Sequence, residues 1–553
     1  MVDRHLTEIA KKQWEARSAR VAQIRTPAAV KERQAYIRKT LIEEIGGFPE
    51  KTPLNARITG TLDRDGYKVE KLIFESQPGF FVTANIFVPK TGQPPYPAVL
   101  GTAGHSLDGK AAELYQRVWV SLAKRGFLVL AYDPPGQGER LEYLDPATGK
   151  SKLPGGGTGE HSMAAAQCLL TGTNIARWFI WDGIRAFDYL LTRPDVEPKR
   201  IAVAGNSGGG TQSSYLAAFE PRLASAAPSC YLTSWAKLWP GPGPQDGEQV
   251  FAGFLKDGLD FPDFLIAFAP KPIQMATAIK DFFPIDGARA TYAEAKRIFE
   301  VLGAGDRMGY FEFDDNHGWT QPRREATYRW FAKSLQGRQD DGKEIQFKVD
   351  TPKELQCSET GQVATTFQNA QTVQSINAAL AEKIYATRAG AGGRNIPRLV
   401  RARLGVAEER GVPASDKRGA IERQGYTIEK IEMRPEADIT VPALVFLPSG
   451  GLPRKPAVLY VNAAGKAADA GEGGPIEALV RAGNIVLAID ARGWGEGAPP
   501  VGPRGGYSTV YQTAMRAILV GKTMVGMQTG DVLRAFDWLA ARADVDPKRI
   551  ALI

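Results

Sequence analysis

The sequence predicts an α/β fold in which a mostly parallel, doubly wound sheet carries helices on both faces, and it predicts that this fold occurs twice. Short, nearly continuous apolar runs alternate with amphipathic stretches, which is typical of buried parallel strands joined by helices. The segment 183–202 also recurs at 532–551, where 13 of the 18 positions from Arg185 to Ala202 are identical at a shift of 349. A repeat of this length indicates two copies of one domain.

Three further matches support the duplication. Segments beginning at Gly66 and Pro97 recur at a shift of 359, and the segment beginning at Arg125 recurs at 357. The second copy has therefore lost two and then eight residues relative to the first. Two unrelated segments with similar βαβ periodicity would share a hydrophobic pattern but not runs of identical residues.

We expect a catalytic domain with N-terminal helices at 1–335, a linker with short strands at 336–371, and a second copy at 372–553. The second copy ends inside a predicted strand, before the position that corresponds to Ser207. At a shift of 359, Ala463 and Ala464 replace Gly104 and His105. We therefore expect the second copy to be truncated and degenerate, serving packing or substrate binding.

Within the first copy, alternating residues on both sides of Gly79 predict an antiparallel hairpin. The buried strands that follow are predicted at 97–103, 127–133, 200–206, 224–232, 272–280 and 309–315. Amphipathic helices are predicted at 6–21, 30–46, 113–126 and 181–195. In such sheets the active groups collect in loops beyond the carboxyl ends of the strands.

Composition excludes several classes of function. The 553 residues are too many for one core, and no run approaches 18 consecutive apolar residues. The first 25 residues are charged and lack an apolar segment, which predicts no signal peptide, and hence a cytoplasmic protein if Met1 is native. The net charge of +8 is spread along the chain, so we expect neither a nucleic-acid nor a membrane partner.

Cysteine and histidine spacing argues against metal sites and disulfides. The chain has three cysteines and four histidines, namely Cys168, Cys230, Cys357, His5, His105, His161 and His317. None of them forms a CxxC, HExxH or other paired pattern. We therefore expect no metal and no organic cofactor.

The candidate nucleophile is Ser207, in the segment Gly-Asn-Ser-Gly-Gly that begins at Gly205. This GxSxG follows a predicted strand and precedes a helix, where a sharp turn exposes the serine and requires glycine on both sides. A phosphate-binding glycine loop is the alternative. The segment lacks the P-loop lysine and cannot be read as GxGxxG.

A serine nucleophile needs a base and an acid, which this fold supplies in the order Ser, Asp or Glu, His. His317 is the only histidine downstream of Ser207, although a structural histidine is the alternative. Asp281 lies directly at a strand end and is favoured as the acid over Asp286, five residues later. Since the triad supplies nucleophile and base by itself, no cofactor is implied.

Two backbone N–H groups are expected to form the oxyanion hole. One is that of Gly208, at the start of a helix, and the other that of His105, with Ser106 as the alternative. Trp235 and Trp239 are candidates for an aromatic substrate platform, with core packing as the alternative. His161 lines the substrate pocket or lies in a surface loop.

At these residues the first copy resembles the α/β-hydrolase superfamily, in its acetyl xylan esterase and dienelactone hydrolase-like branch. The resemblance covers about 30–335 and rests on the segments GHSLDGK, AYDPPGQGER, GNSGGGT, KDFFP and DDNHG, in family order. It implies an α/β-hydrolase fold and a serine carboxylesterase that hydrolyses a small-molecule or polysaccharide ester through an acyl-enzyme, typically deacetylating carbohydrate. Members are often exported, so the resemblance implies an exported or periplasmic protein if a signal peptide has been removed.

Two other functions remain open. A prolyl-oligopeptidase-like peptidase uses the same core but carries an upstream propeller, whereas here only about 50 residues precede the first hairpin and they are predicted to be helical. A non-catalytic carbohydrate-binding scaffold suits the second copy better than the first.

Overall fold

The computed structural model describes residues 1–390, 395–406, 411–499, 502–504 and 507–553. It divides into two compact units, of which the first is Trp14–Gly390 and the second combines Ala391–Ile553 with Met1–Gln13. These limits differ from the predicted boundaries at 335 and 372. Residues 373–390 form a helix within the first unit, since Val373 is buried against Phe80 and Trp178.

The first unit is built on a nine-stranded mixed sheet in the order β1-β2-β3-β5-β4-β8-β9-β10-β11. The first four of these strands pair antiparallel, and the pairs from β5 through β11 are parallel. A separate two-stranded ribbon joins β6 and β7. The strands are β1 (Arg57–Arg64), β2 (Tyr67–Gln77), β3 (Phe80–Pro89), β4 (Tyr96–Thr102), β5 (Leu128–Tyr132), β6 (Leu144–Asp145), β7 (Lys150–Ser151), β8 (Val196–Asn206), β9 (Ser225–Ser229), β10 (Ile273–Lys280) and β11 (Met308–Asn316).

The predicted hairpin and all six predicted strands are present, but the last of them, β11, lies at the sheet edge and is half-buried to exposed rather than buried. Strands β3, β4, β5 and β9 are buried along their whole length, which explains their continuous apolar runs. Gly79 turns the hairpin at a φ of 75°, a conformation that glycine adopts without strain. Strand β1 was not predicted, because it lies at the sheet edge and is largely exposed.

Helices cover the faces of this sheet. The helices up to residue 390 are α1 (Val2–Ala22), α2 (Pro27–Glu44), α3 (Glu113–Ala123), α4 (Gly156–Leu170), α5 (Ala176–Leu191), α6 (Gly208–Phe219), α7 (Trp235–Leu238), α8 (Pro262–Phe268), α9 (Ile285–Val301), α10 (Gln321–Gln336), α11 (Pro352–Leu355), α12 (Val363–Thr366) and α13 (Val373–Gly390). The predicted N-terminal helices correspond to α1 and α2 and are confirmed.

The predicted linker at 336–371 contains no strand, contrary to expectation; it holds only the short helices α11 and α12. It is not a free connection either. Leu355, Cys357 and Val363 are buried, and the Cys357 and Ser358 N–H groups both donate to the carboxylate of Glu139. Buried carboxylate acceptors and apolar contacts hold this segment against the first sheet.

The second unit has a six-stranded sheet in the order β12-β13-β14-β16-β15-β19. Its strand directions match those of β1-β2-β3-β5-β4-β8, with antiparallel pairs first and two parallel pairs last. Its elements are β12 (Ala414–Arg423), β13 (Tyr426–Glu436), β14 (Ile439–Pro448), β15 (Lys455–Tyr460), β16 (Ile485–Ile489), β17 (Pro503–Arg504), β18 (Tyr507–Ser508), β19 (Val545–Leu552), α14 (Ile396–Leu404), α15 (Pro475–Arg481), α16 (Thr509–Leu519) and α17 (Met524–Ala540).

Two general features complete the description. All three cysteines are buried and none forms a disulfide. Among the described residues, no helix combines the length and the apolar character needed to span a bilayer.

Candidate active site

Ser207 lies at the sharp turn between strand β8 and helix α6. Its backbone has a φ of 58° and a ψ of −123°, a strained conformation that projects the side chain out of the turn. A Cβ on Gly205 would lie 2.2 Å from Thr102 Oγ1, and one on Gly209 would lie 2.1 Å from the Thr102 carbonyl oxygen. The two glycines are therefore required because the strand carrying Thr102 packs directly against the turn.

The structure brings Ser207, His317 and Asp281 together. The Ser207 Oγ lies 2.8 Å from His317 Nε2, and the other ring nitrogen, Nδ1, lies 2.8 Å from Asp281 Oδ1. Because a carboxylate accepts, His317 carries a proton on Nδ1 and leaves Nε2 free to accept from the serine hydroxyl. Asp286 takes no part: it is 70% exposed and pairs with Arg289 on its own helix.

Cys230 lies beside this triad, and sequence reasoning did not single it out. Its Sγ, a carboxylate oxygen of Asp281 and a ring nitrogen of His317 all lie within 4.8 Å of one another. Burial, with the negative charge of Asp281 adding to it, raises the pKa of the thiol to about 12. The thiol therefore stays neutral next to the carboxylate. Its φ of 51° is the only sign of a special position, and the sequence does not reveal it.

Aromatic side chains border the histidine. The ring of Phe282 lies 4.4 Å from that of His317 between centroids, and Phe282 is 42% exposed. The next residue, Phe283, donates its N–H to Asp281 Oδ1 at 3.0 Å and is buried. The loop after β10 therefore orients the acid and places an apolar surface over the base.

The loop after β4 approaches the nucleophile turn from the other side. A Cβ on Gly104 would lie 3.2 Å from the Gly208 backbone nitrogen, so the two backbones are in contact. Gly208 begins helix α6, and its N–H has no acceptor within the helix. His105 follows Gly104 directly, which places its backbone next to this helix start.

The His105 side chain joins a buried cluster with His161, Asp246 and Glu248. Its Nε2 lies 2.5 Å from Asp246 Oδ2, 3.0 Å from Glu248 Oε1 and 3.1 Å from His161 Nδ1. One ligand atom from each of the four residues falls within 4.8 Å of the others, an arrangement that could hold a metal ion. Tertiary folding thus joins histidines that are far apart in sequence, which the spacing patterns did not predict; the expectation of no metal stays a prediction.

The cluster also corrects the two sequence interpretations of His161. The residue lies in helix α4, not in a surface loop, and it is fully buried rather than lining an open pocket. Burial alone would lower the pKa of His161, but the charges of Glu248 and Asp246 outweigh it and raise the pKa to about 9.

The predicted aromatic platform is absent. Trp235 and Trp239 are only 2% and 1% exposed, so neither indole face is open to a ligand. Trp239 packs edge-on against Trp14, and Trp235 against Phe261, at centroid distances of 6.1 and 5.6 Å. Both tryptophans pack in the hydrophobic core, as the alternative interpretation of core packing predicted.

Part of this site lies in a segment that matches a known protein family. Residues 41–245 match the family model described as acetyl xylan esterase (AXE1). The matched range includes Ser207 and the His105 loop, and it ends before Asp281 and His317.

Over this range the first unit matches the acetyl xylan esterase-like branch of the α/β-hydrolase superfamily. This confirms the resemblance carried by the sequence motifs and the α/β-hydrolase fold expected from it. The matched family model supports a carbohydrate esterase, that is, a hydrolase of carboxylic esters.

Two individual proteins are similar to this chain. The curated protein “Putative hydrolase YtaP” of Bacillus subtilis (strain 168) is 25% identical over 319 residues, which is 55% of this chain and 100% of that protein. The solved structure of “Methylesterase BT1017” is 19% identical and has a TM-score of 0.52, covering 69% of this chain and 81% of that one. At this identity the structural likeness concerns the fold.

Proposed function

We propose that this protein is a serine carboxylesterase that hydrolyses ester bonds of carbohydrates, with acetylated polysaccharide as the first candidate substrate. The observation that carries the proposal is the relay from Ser207 Oγ through His317 to Asp281, with 2.8 Å at both hydrogen bonds. These distances are those at which a base removes a proton from a nucleophile. The matched family description supports acetylated xylan as the substrate class.

The acylation step begins when Ser207 Oγ attacks the ester carbonyl carbon. His317 Nε2 accepts the serine proton, and Asp281 stabilises the resulting imidazolium through the bond to Nδ1. The tetrahedral intermediate collapses when His317 returns that proton to the leaving sugar oxygen. The products of this step are the free alcohol and an acyl group on Ser207.

The negative charge that develops on the carbonyl oxygen requires two fixed donors. We assign these to the backbone N–H groups of Gly208 and His105. The first points outward from the start of helix α6, where the helix dipole favours negative charge. The second lies in the loop whose Gly104 contacts Gly208, and any side chain at Gly104 would collide with the Tyr115 hydroxyl.

Deacylation repeats the same chemistry with water. His317 Nε2 removes a proton from a water molecule, whose oxygen attacks the acyl carbon, and the proton then passes to Ser207 Oγ as the acid leaves. The apolar ring of Phe282 beside His317 limits the space around the base, which favours a small acyl group such as acetate.

The test is hydrolysis of p-nitrophenyl acetate, longer p-nitrophenyl esters and acetylated xylan by the wild type and by Ser207→Ala. We expect release of acetate from xylan and loss of at least about 10⁴-fold in turnover for the variant. Wild-type protein should also react with a fluorophosphonate probe, and Ser207→Ala should not. Unchanged turnover in the variant would refute the assignment of the nucleophile.

A matched control separates loss of chemistry from loss of fold. Ser213→Ala removes a hydroxyl from the same helix, where Ser213 donates to the Gly209 carbonyl oxygen, and should retain turnover. If the folded wild type hydrolyses no ester but cleaves peptides, the peptidase alternative would replace the esterase. If the folded wild type fails to react with the probe, the first unit would be a binding scaffold.

A further inference from the structure

The buried cluster behind the oxyanion loop consists of His105, His161, Asp246 and Glu248. We propose that these four side chains bind one divalent transition-metal ion, with Zn²⁺ as the preferred ion. This proposal is independent of the ester chemistry, which uses none of the four side chains.

The spacing of the ligand atoms fits a small tetrahedral ion. The distances from the histidine nitrogens to the carboxylate oxygens run from 2.5 Å, between His105 Nε2 and Asp246 Oδ2, to 3.4 Å, between His161 Nδ1 and Asp246 Oδ2. Tetrahedral zinc with bonds of about 2.0–2.1 Å places its ligand atoms about 3.3 Å apart. Only a small outward movement of His105 from the carboxylate is needed to reach that geometry.

The hydrogen bonding of His161 prepares its ring for a metal. The Nε2 of His161 lies 2.8 Å from the carbonyl oxygen of Pro135, so the ring proton resides on Nε2. With a metal ion in place of the Nδ1 proton, the ring would be neutral and its Nδ1 lone pair would be directed at the space between His105 and the two carboxylates. A backbone carbonyl that fixes the far nitrogen in this way is the usual outer-shell partner of a metal-binding histidine.

Charge balance and an unpartnered atom point to a cation at the same place. Asp246 and Glu248 are each 1% exposed, and two carboxylates buried side by side require two positive charges. Glu248 Oε2 has no hydrogen-bond partner, although it lies 3.3 Å from His161 Nδ1. One dication with two neutral imidazoles would balance the two negative charges, and Glu248 Oε2 would bind it as a ligand.

The nature of the ligands selects the kind of ion. Two imidazole nitrogens and two carboxylates suit zinc and its first-row neighbours. Magnesium and calcium prefer shells made of oxygen alone, with six or more ligands. The proposed site is therefore one for a transition metal.

The ligands come from three separate segments of the first unit. His105 belongs to the loop after β4, His161 to helix α4, and the two carboxylates to the segment before residue 250. A bound ion would tie these segments together and fix the loop whose backbone N–H we assign to the oxyanion hole. His105 would then act as a positioning residue through its side chain, an effect that rests on the proposed function.

The first experiment measures metal binding directly on the full chain, purified without a polyhistidine tag. The protein is dialysed against a chelator and titrated with Zn²⁺, and separately with Co²⁺, whose visible absorption reports tetrahedral nitrogen and oxygen ligands. We expect one ion per chain and a higher melting temperature with Zn²⁺. Failure of the folded wild type to bind either ion would overturn the proposal and would assign the cluster to two protonated histidines paired with two carboxylates.

Variants locate the ion. His161→Asn and Glu248→Gln should each weaken Zn²⁺ binding by more than about 100-fold, the upper range for changes outside the ligand shell. His5→Asn removes a histidine of the second unit and should bind like the wild type. If His161→Asn and Glu248→Gln bind Zn²⁺ as tightly as His5→Asn does, the ion lies elsewhere and the proposal is overturned.

A last comparison separates the metal site from the proposed esterase. Ser207→Ala should bind Zn²⁺ like the wild type while losing turnover. If the wild type binds Zn²⁺ at the cluster but hydrolyses no ester, the site stands and the proposed function fails. If removal of the ion lowers kcat while KM is unchanged, the oxyanion loop depends on it; an unchanged kcat would overturn the positioning role of His105.

Discussion

The first and second units share a framework but differ in one loop, which in the first unit lies beside the proposed reaction centre. Both sheets follow the same strand order and directions through β8 and β19, and both first hairpins shift register just before a glycine, Gly60 and Gly419. Lys110 binds Asp133 and Glu139 at 2.6 and 2.7 Å, and Lys466 binds Asp490 and Glu496 in the same way. The two units therefore share the sheet and one lysine that binds two carboxylates. We call Lys110 and Lys466 the bracing lysines.

The difference lies in the loop between β4 and the bracing lysine. Lys110 follows Pro97 by 13 residues, whereas Lys466 follows Pro456 by 10, so the loop is three residues shorter in the second unit. A framework can thus persist while the loop after its first parallel strand is shortened and has alanines, Ala463 and Ala464, in place of Gly104 and His105.

The largest expected effect tests the assignment of the acid in the first unit. Asp281→Asn should lower kcat by about 10⁴-fold, because an amide at this position favours the wrong tautomer of His317. Asp286→Asn is the matched control; its side chain is exposed, and we expect activity within about twofold of the wild type. Steady-state kinetics on p-nitrophenyl acetate measures both, and a reversed order of effects would move the acid to Asp286.

The next prediction compares the two bracing lysines. Lys110→Met leaves two buried carboxylates unpaired and should destabilise the first unit by about 3–5 kcal/mol. Lys466→Met should cost less, about 1–3 kcal/mol, because Glu496 is 70% exposed and remains solvated. Since a chain of two units need not unfold in one step, native-state hydrogen exchange of β5 and β16 is the measurement.

Equal protection losses in the two variants would contradict the argument from burial. In Lys110→Met the loss of exchange protection should be confined to the first unit. It should include residues 357 and 358, since their N–H groups donate to Glu139. That pattern would show that the ion-paired group of Lys110, Asp133 and Glu139 also stabilises the segment after α11.

The smallest expected effect concerns pH and Glu142, whose position corresponds to Pro499 in the second unit at the shift of 357. Burial raises the pKa of Glu142 to about 8, so the folded chain holds this proton more tightly than the unfolded chain. Its contribution to stability is therefore greatest at acid pH and is lost as the pH rises from about 4.5 to about 8.

Glu142→Gln should remove this dependence. Between about pH 5 and about pH 9 the wild type should lose more stability than the variant, as measured by urea unfolding of the first unit. Parallel stability curves for the two proteins would show that Glu142 ionises normally in the folded state.

Local sequence patterns predicted the parts of the molecule that depend on neighbours in the chain. The apolar runs of β4, β5 and β8 and the glycines around Ser207 follow from burial and from a tight turn, and both leave a trace in sequence. His317 was predicted because no other histidine follows Ser207.

The remaining features depend on contacts between distant segments. His105 and His161 are 56 residues apart, and Glu248 lies 143 residues from His105, so no spacing rule connects them. Trp239 packs against Trp14, 225 residues earlier, and Trp235 packs against Phe261, 26 residues later, so local patterns do not reveal that both are buried. The edge strand β1 was missed for a different reason, since exposure on both faces removes the alternation that marks a strand.

The buried cysteines have a practical consequence. Burial raises the pKa of Cys168 and Cys357 as well as that of Cys230, so none of these thiols should be alkylated in the folded protein. A cysteine introduced at the exposed position of Asp286 would then be the only reactive thiol on the folded surface of the described chain. A fluorophore attached there would sit five residues from Asp281 and report, by its emission, when a substrate or inhibitor occupies the neighbouring loop.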